Sequence, residues 1–84
     1  MKLLKFSATW CDPCKMLSKT MEGMELGLPV ENLDIDEYQA LARTYSVRGV
    51  PTVILVDATG KEDKRFSGVQ SKSWIESWLG DIYE

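Results

Sequence analysis

Cys11 and Cys14, the only cysteines among 84 residues, stand three apart in Trp10-Cys11-Asp12-Pro13-Cys14-Lys15. Two thiols at that spacing close a small ring if the backbone between them turns as a helix begins, and the same turn aims unpaired N–H groups at the first sulfur. Cys11 is then a stabilised thiolate, and the pair reads as a reversible dithiol/disulfide. Half of a zinc site and a structural bridge are the other readings. Zinc takes about four ligands. With no histidine and no second cysteine pair, a metal would need dimerisation or recruited carboxylates, so no metal ligand is assigned. The missing imidazole also removes Cys-His nucleophile pairs. Asp12 puts a carboxylate beside the first thiol and opposes its ionisation, whereas Lys15 and the helix N-terminus favour it. Pro13, with no N–H to lose, suits the first helical turn. Trp10, after polar Thr9, is expected as a half-exposed ring supporting the motif loop.

The elements that must hold this pair follow from periodicity. Leu3 to Ala8 is a short apolar stretch directly before the motif and predicts a central strand. After it, Leu17, Met21 and Met24 recur on one helical face that ends at Gly23, Gly27 and Pro29. Val30 to Ile35 predicts a second strand. Asp36 is the expected N-cap of a helix carrying Tyr38, Leu41, Ala42 and Tyr45 at i, i+3, i+4 and i+7. Thr52 to Val56 is continuously apolar and β-branched, as in a strand buried on both faces, with Pro51 at its start. Asp57-Ala58-Thr59-Gly60 predicts a tight hairpin, and the charged run Glu62 to Ser67 an antiparallel edge strand that Gly68 breaks. Ser73 with Glu76 reads as a capping box for a last helix with a stripe of Ile75, Trp78, Leu79 and Ile82, weakened by Gly80. Trp78 is expected in the core and Trp74 off the stripe. The order is β-α-β-α-β-β-α, an α/β fold with a four-stranded mixed sheet covered by three helices, a parallel pair at its centre and an antiparallel edge.

A chain of this length makes a single domain, residues 1–84. Its net charge of −3 and pI near 4.9 argue against nucleic acid as a principal partner, since phosphate binding needs a basic patch and no dense Lys/Arg cluster is present. Lys5, Ser7 and Thr9 interrupt any N-terminal apolar run long enough for a signal sequence or a spanning helix, so the expectation is a cytoplasmic monomer without a membrane role. A lone cysteine pair in such a reducing compartment is catalytic, redox-sensing or metal-binding rather than a staple. Lys5, on the first strand, either buries its stem and sends its amine to the surface or tunes the thiols electrostatically.

Four blocks then carry a resemblance: Trp10-Cys11-x-Pro13-Cys14-Lys15-Met16, Leu33-Asp34-Ile35-Asp36, Tyr45-x-Val47-Arg48-Gly49-Val50-Pro51-Thr52, and Gly68 with Ser71-Lys72. In this order and spacing they resemble the thioredoxin family, reduced to its minimal fold: the N-terminal strand and helix of full-length members have no counterpart, which leaves a glutaredoxin-sized chain. The resemblance implies a protein-disulfide reductase with Cys11 as exposed nucleophile and Cys14 as buried resolving thiol. It implies a cis Val50–Pro51 peptide facing the disulfide, and an apolar substrate rim of Trp10, Val50, Pro51, Gly68 and Val69. It further implies disulfide-bearing protein substrates, no bound cofactor, and recharging by a thioredoxin reductase or by glutathione. For glutathione, Lys15, Arg48 and Lys72 are the candidate cationic groove, although Asp12 repels an anionic tripeptide and favours the reductase. A non-catalytic docking module is the reading from a different class. The chain departs from the family at Asp12, where glycine is usual; at Lys5, where a buried acid is expected; at Asn32, where that acid's lysine partner is expected; and at Lys19, where a proline kinks the motif helix.

Overall fold

The computed structural model describes residues 1–80, so Ile82 lies outside the described residues. The chain runs β1 (Lys2–Ser7), α1 (Asp12–Glu22), β2 (Val30–Asp34), α2 (Gln39–Thr44), β3 (Thr52–Val56), β4 (Glu62–Ser67) and α3 (Lys72–Leu79), which is the expected order. Strands line up as β2-β1-β3-β4. β1 pairs in parallel with β2, placing Lys5 opposite Asn32, and antiparallel with β3, placing Lys5 opposite Val53.

The expected central parallel pair is therefore corrected: the two inner strands are antiparallel, and the parallel pairing lies at the β2 edge. The chain leaving the end of β2 turns back through α2 on one face and re-enters the sheet near the same end, where Thr52 pairs with Phe6, so β3 runs against β1.

Alternation along the strands sorts the core into two faces. Leu3, Val53 and Leu55 pack with Leu17 and Met21 of α1 and Ile75 and Leu79 of α3. Leu4, Phe6, Ile54 and Val56 pack on the opposite face with Leu33 and with Ala42 of α2. Every residue of β3 is buried, as its unbroken apolar run requires.

Two caps differ from expectation. Asp36 does not cap α2; the N-cap is Tyr38, without a side-chain hydrogen bond. Asp34 instead accepts the Asp36 N–H at 2.8 Å, and the main-chain N–H groups of Glu37 and Tyr38 donate to the Asp34 carbonyl. That Asx turn uses up the residues that would have formed the first helical turn. For α3 the cap is Ser71, not Ser73: its Oγ accepts the Trp74 N–H at 3.2 Å, and Ser73 Oγ lies 3.3 Å from Ser71 Oγ. Trp78 is partly buried at the core's margin rather than within it, its ring edge-on to Phe66 at 5.0 Å between centroids. Trp74 is exposed. The hairpin turn forms as expected, with Gly60 at φ +87 and its N–H donating to the Asp57 carbonyl at 3.0 Å.

Candidate active site

The site assembles where β1 ends. Ala8 closes the strand's apolar run, and its carbonyl accepts the Cys11 N–H at 3.2 Å, folding Thr9 and Trp10 into a turn. Cys11 is the N-cap of α1, in extended backbone (φ −99, ψ 106), and its Sγ accepts the Cys14 N–H at 3.2 Å. Cys11 and Cys14 are joined by a disulfide, Cα to Cα 5.3 Å, with Pro13 in the first turn. A helical N–H without a backbone acceptor therefore points at the sulfur that must carry negative charge once the bond is reduced.

A second loop faces this turn. The Val50–Pro51 peptide is cis, and the Val50 carbonyl oxygen lies 3.8 Å from Cys11 Sγ. Thr52 Oγ1 donates to the Gly49 carbonyl at 2.6 Å, and the Gly68 N–H donates to the Pro51 carbonyl at 3.0 Å, so the loop is tied to its own strand and to the end of β4. Gly68 has φ +78, a conformation that costs a side-chain-bearing residue about 1 kcal/mol or more. Val50 and Ile35 pack on a small cluster of Ala8, Cys11 and Cys14. Cys11 is not the exposed thiol that the resemblance implies: in the oxidised form it is 5% exposed and Cys14 3%, because these apolar neighbours close over both sulfurs.

The charged neighbours divide into two groups. Asp12 and Lys15 are well exposed and pair loosely at 3.8 Å, so solvent screens their effect on Cys11. Lys5 is different. It is buried on the α1 face of β1, and its Nζ donates to Ser18 Oγ at 2.7 Å. Burial pushes the amine below its ordinary range, while the Glu22 carboxylate pulls it partly back. Ser18 stands one turn beyond Cys14 on α1. Cys14 and Ser18 line one cavity, and Lys5 and Ser18 line another.

Between Trp10, the cis loop and α2 opens a groove of about 310 Å³. Ile35, Ala42, Val47 and Val50 make its floor, with Arg43 and Arg48 on its rim. Of the three expected cationic groove residues only Arg48 is there; Lys15 is turned to Asp12, and Lys72 opens α3. Trp10 is 66% exposed, more than the half-exposed ring that was expected. Gly68 is brought to Pro51, and Val69 lies in solvent beyond it. Ser18 and Arg43 were not singled out by the sequence, and Ile35 was named only within the second strand and a family block, not as a site residue. The signal for Ser18 was its i+4 spacing from Cys14, and for Ile35 its place at the end of the second strand.

A disulfide at a helix N-terminus, facing a buried proline loop and flanked by an open apolar groove, defines a protein that exchanges disulfides with other molecules. Among the described residues no cluster of three or more His, Cys, Asp or Glu side chains could hold a metal ion, and no helix is long and apolar enough to cross a membrane. The thioredoxin family model matches residues 1–81. Thioredoxin from Chlamydia trachomatis is 41% identical over 73 residues, covering 83% of this chain and 71% of that protein. Thioredoxin from Mycobacterium tuberculosis is 36% identical over 84 residues, covering 95% and 72%. Among solved structures, a thioredoxin mutant from Halobacterium salinarum superposes with a TM-score of 0.82 at 36% identity, covering 98% of this chain and 74% of that one. The thioredoxin of Fasciola hepatica gives 0.81 at 27%, covering 94% and 77%. The chain belongs to the thioredoxin family and is a thiol–disulfide oxidoreductase.

Proposed function

We propose that the protein reduces disulfides in other proteins through a mixed-disulfide cycle begun by Cys11. The observation that carries this reading is the Cys14 N–H aimed at Cys11 Sγ at 3.2 Å, which favours the Cys11 thiolate. That thiolate attacks one sulfur of the substrate disulfide, and the other sulfur leaves as a thiolate and takes a proton from solvent. Cys14, losing its proton, then attacks Cys11, forming the Cys11–Cys14 bond and expelling the second substrate thiolate. Two electrons have moved from the pair to the substrate, and no bound cofactor is needed. Trp10, Val50, Pro51, Gly68 and Val69 form the rim on which the substrate segment rests.

An external donor resets the pair. Family membership and a well-exposed Asp12 support a thioredoxin reductase over glutathione. We propose that the protein works in the cytoplasm and as a monomer, the latter supported by the pair, the cis loop and the groove all lying within one chain. In the test, reduced protein is mixed with a disulfide-bridged peptide and released thiols are counted. Two thiols per protein molecule are expected in one turnover, with continuous reduction when NADPH and a thioredoxin reductase are added and slower reduction with glutathione. A Cys11→Ser/Cys14→Ser protein that keeps its cellular effect, or a wild type that releases no thiols, would establish a docking module instead.

Lys5 is assigned a tuning role through Ser18. Its charge, held in the apolar layer on the same helix face as Cys14, stabilises the reduced pair when Cys14 ionises and makes the disulfide easier to reduce. Lys5→Met is expected to lower the Cys11–Cys14 potential by about 30 mV, equivalent to ~1.4 kcal/mol for two electrons. The same change has a stability signature. Because burial lowers the amine's folded pKa below its ordinary value of 10.5, the charged amine opposes folding at neutral pH, and the opposition fades as pH rises from the folded pKa towards the ordinary one. Lys5→Met therefore raises the urea midpoint most at pH 7 and least near pH 10. An unchanged potential would remove the tuning role, whatever the stability.

A further inference from the structure

We infer that the groove beside the disulfide selects protein substrates carrying acidic side chains within a few residues of the cysteine under attack. This rests on the oxidoreductase reading and adds to it the substrate class. The groove is open, holds about 310 Å³, and reaches from Trp10 and Val50, next to the sulfurs, to Arg43 on α2. That is room for a few side chains of an extended segment, whose residues advance about 3.3 Å each. Arg43 and Arg48 are its only charged lining residues, and neither guanidinium makes a hydrogen bond or ion pair with any described residue.

Guanidinium groups without partners, beside an apolar floor, are receptors for carboxylates. The planar fork takes both carboxylate oxygens at once, and the low-dielectric wall strengthens the attraction relative to open water. The carboxylates nearest in sequence do not compete: Asp34, Asp36 and Glu37 sit on the turn before α2 and line no part of the groove, and Asp34 is occupied by the Asp36 N–H. Asp12 is also outside the lining and faces Lys15. The chain's net charge of −3 repels an acidic partner at long range, but that repulsion is largely screened beyond about 8 Å at physiological salt, whereas contact pairs against the apolar floor are screened less.

The test uses three bridged peptides identical except for Glu, Gln or Lys at the positions one to three residues from the attacked cysteine. With excess thioredoxin reductase and NADPH at 0.15 M salt, kcat/KM is expected to fall in the order Glu, Gln, Lys, with about a tenfold span between the extremes. Arg43→Gln/Arg48→Gln brings the Glu-to-Lys ratio to about one. Lys19→Gln/Lys61→Gln removes the same net charge outside the groove and keeps the ratio. If that control collapses the ratio equally, the preference is overall charge and the inference falls. Equal rates on all three peptides also overturn it while leaving the oxidoreductase reading intact, since the peptides are still reduced. No reduction of any of them, or of neutral hydroxyethyl disulfide, defeats the underlying reading itself. If the arginine variant slows only glutathione-driven recharging, the groove serves a tripeptide donor and the substrate assignment is wrong.

Discussion

Cys14→Ser is expected to stop turnover on a bridged peptide, lowering the steady rate by roughly 10³-fold or more, while each protein molecule captures one peptide covalently on Cys11. The geometry separates the two effects. The bond that favours the Cys11 thiolate comes from the backbone N–H of residue 14, and a serine there keeps it. Attack on the substrate therefore survives. What is lost is the second nucleophile, because a hydroxyl does not ionise near neutral pH and cannot displace the substrate sulfur. The complex should be visible by non-reducing electrophoresis and by a mass increase equal to the captured peptide chain, and it should vanish on adding dithiothreitol. Cys11→Ser should neither turn over nor capture. The opposite pattern, with capture by Cys11→Ser and none by Cys14→Ser, would reverse the assignment of nucleophile and resolving thiol.

These two cysteines were the most legible part of the chain, because their spacing, Pro13 and the apolar strand before them each depend only on local sequence. The unbroken run Thr52 to Val56 announced a doubly buried strand, and Gly60 a hairpin, for the same reason. Choices among near-equal local alternatives were not legible. Asp34 and Asp36 could each have organised the start of α2, and the side chain at position 34 took the position 36 N–H first. Ser71 and Ser73 are both good caps, and they lie 3.3 Å apart beside the same turn. Strand polarity depended on which end of the sheet the connection through α2 returns to, a long-range outcome that no local pattern states. The groove was hidden for a different reason: Arg43 is exposed and carries no periodicity, so only the meeting of α2 with the Val47–Val50 loop reveals its place. Lys5 was singled out, but its burial follows from pairing on both sides, opposite Asn32 and Val53, which no local pattern states.

Ile54→Ala is expected to cost about 3–4 kcal/mol, a large share of the stability of so short a chain. Ile54 is fully buried at the middle of β3, pairs with Leu4 and Arg65 across the sheet, and fills the α2 face with Phe6 and Val56. Truncation at such a site removes the transfer energy of the lost methyl and methylene groups and leaves a cavity that its neighbours only partly fill, for a typical total of about 2–5 kcal/mol. At roughly 0.05–0.15 kcal/mol per residue the whole chain has about 4–13 kcal/mol to lose. The loss should not be spread evenly. α2 has six residues, too few to hold a helix without packing, and its buried anchor, Ala42, lies in the same cluster as Ile54. α1 anchors through Leu17 and Met21 on the other face. Urea titration should therefore show a lowered midpoint, and amide exchange in the variant should accelerate more at Ala42 and Tyr45 than at Leu17 and Met21. With α2 loosened, Arg43 is no longer held over the groove, so the preference for acidic peptides should weaken before disulfide exchange itself fails. Equal acceleration in both helices would mean that the two faces of the sheet unfold as one unit and that the groove has no independent weak point.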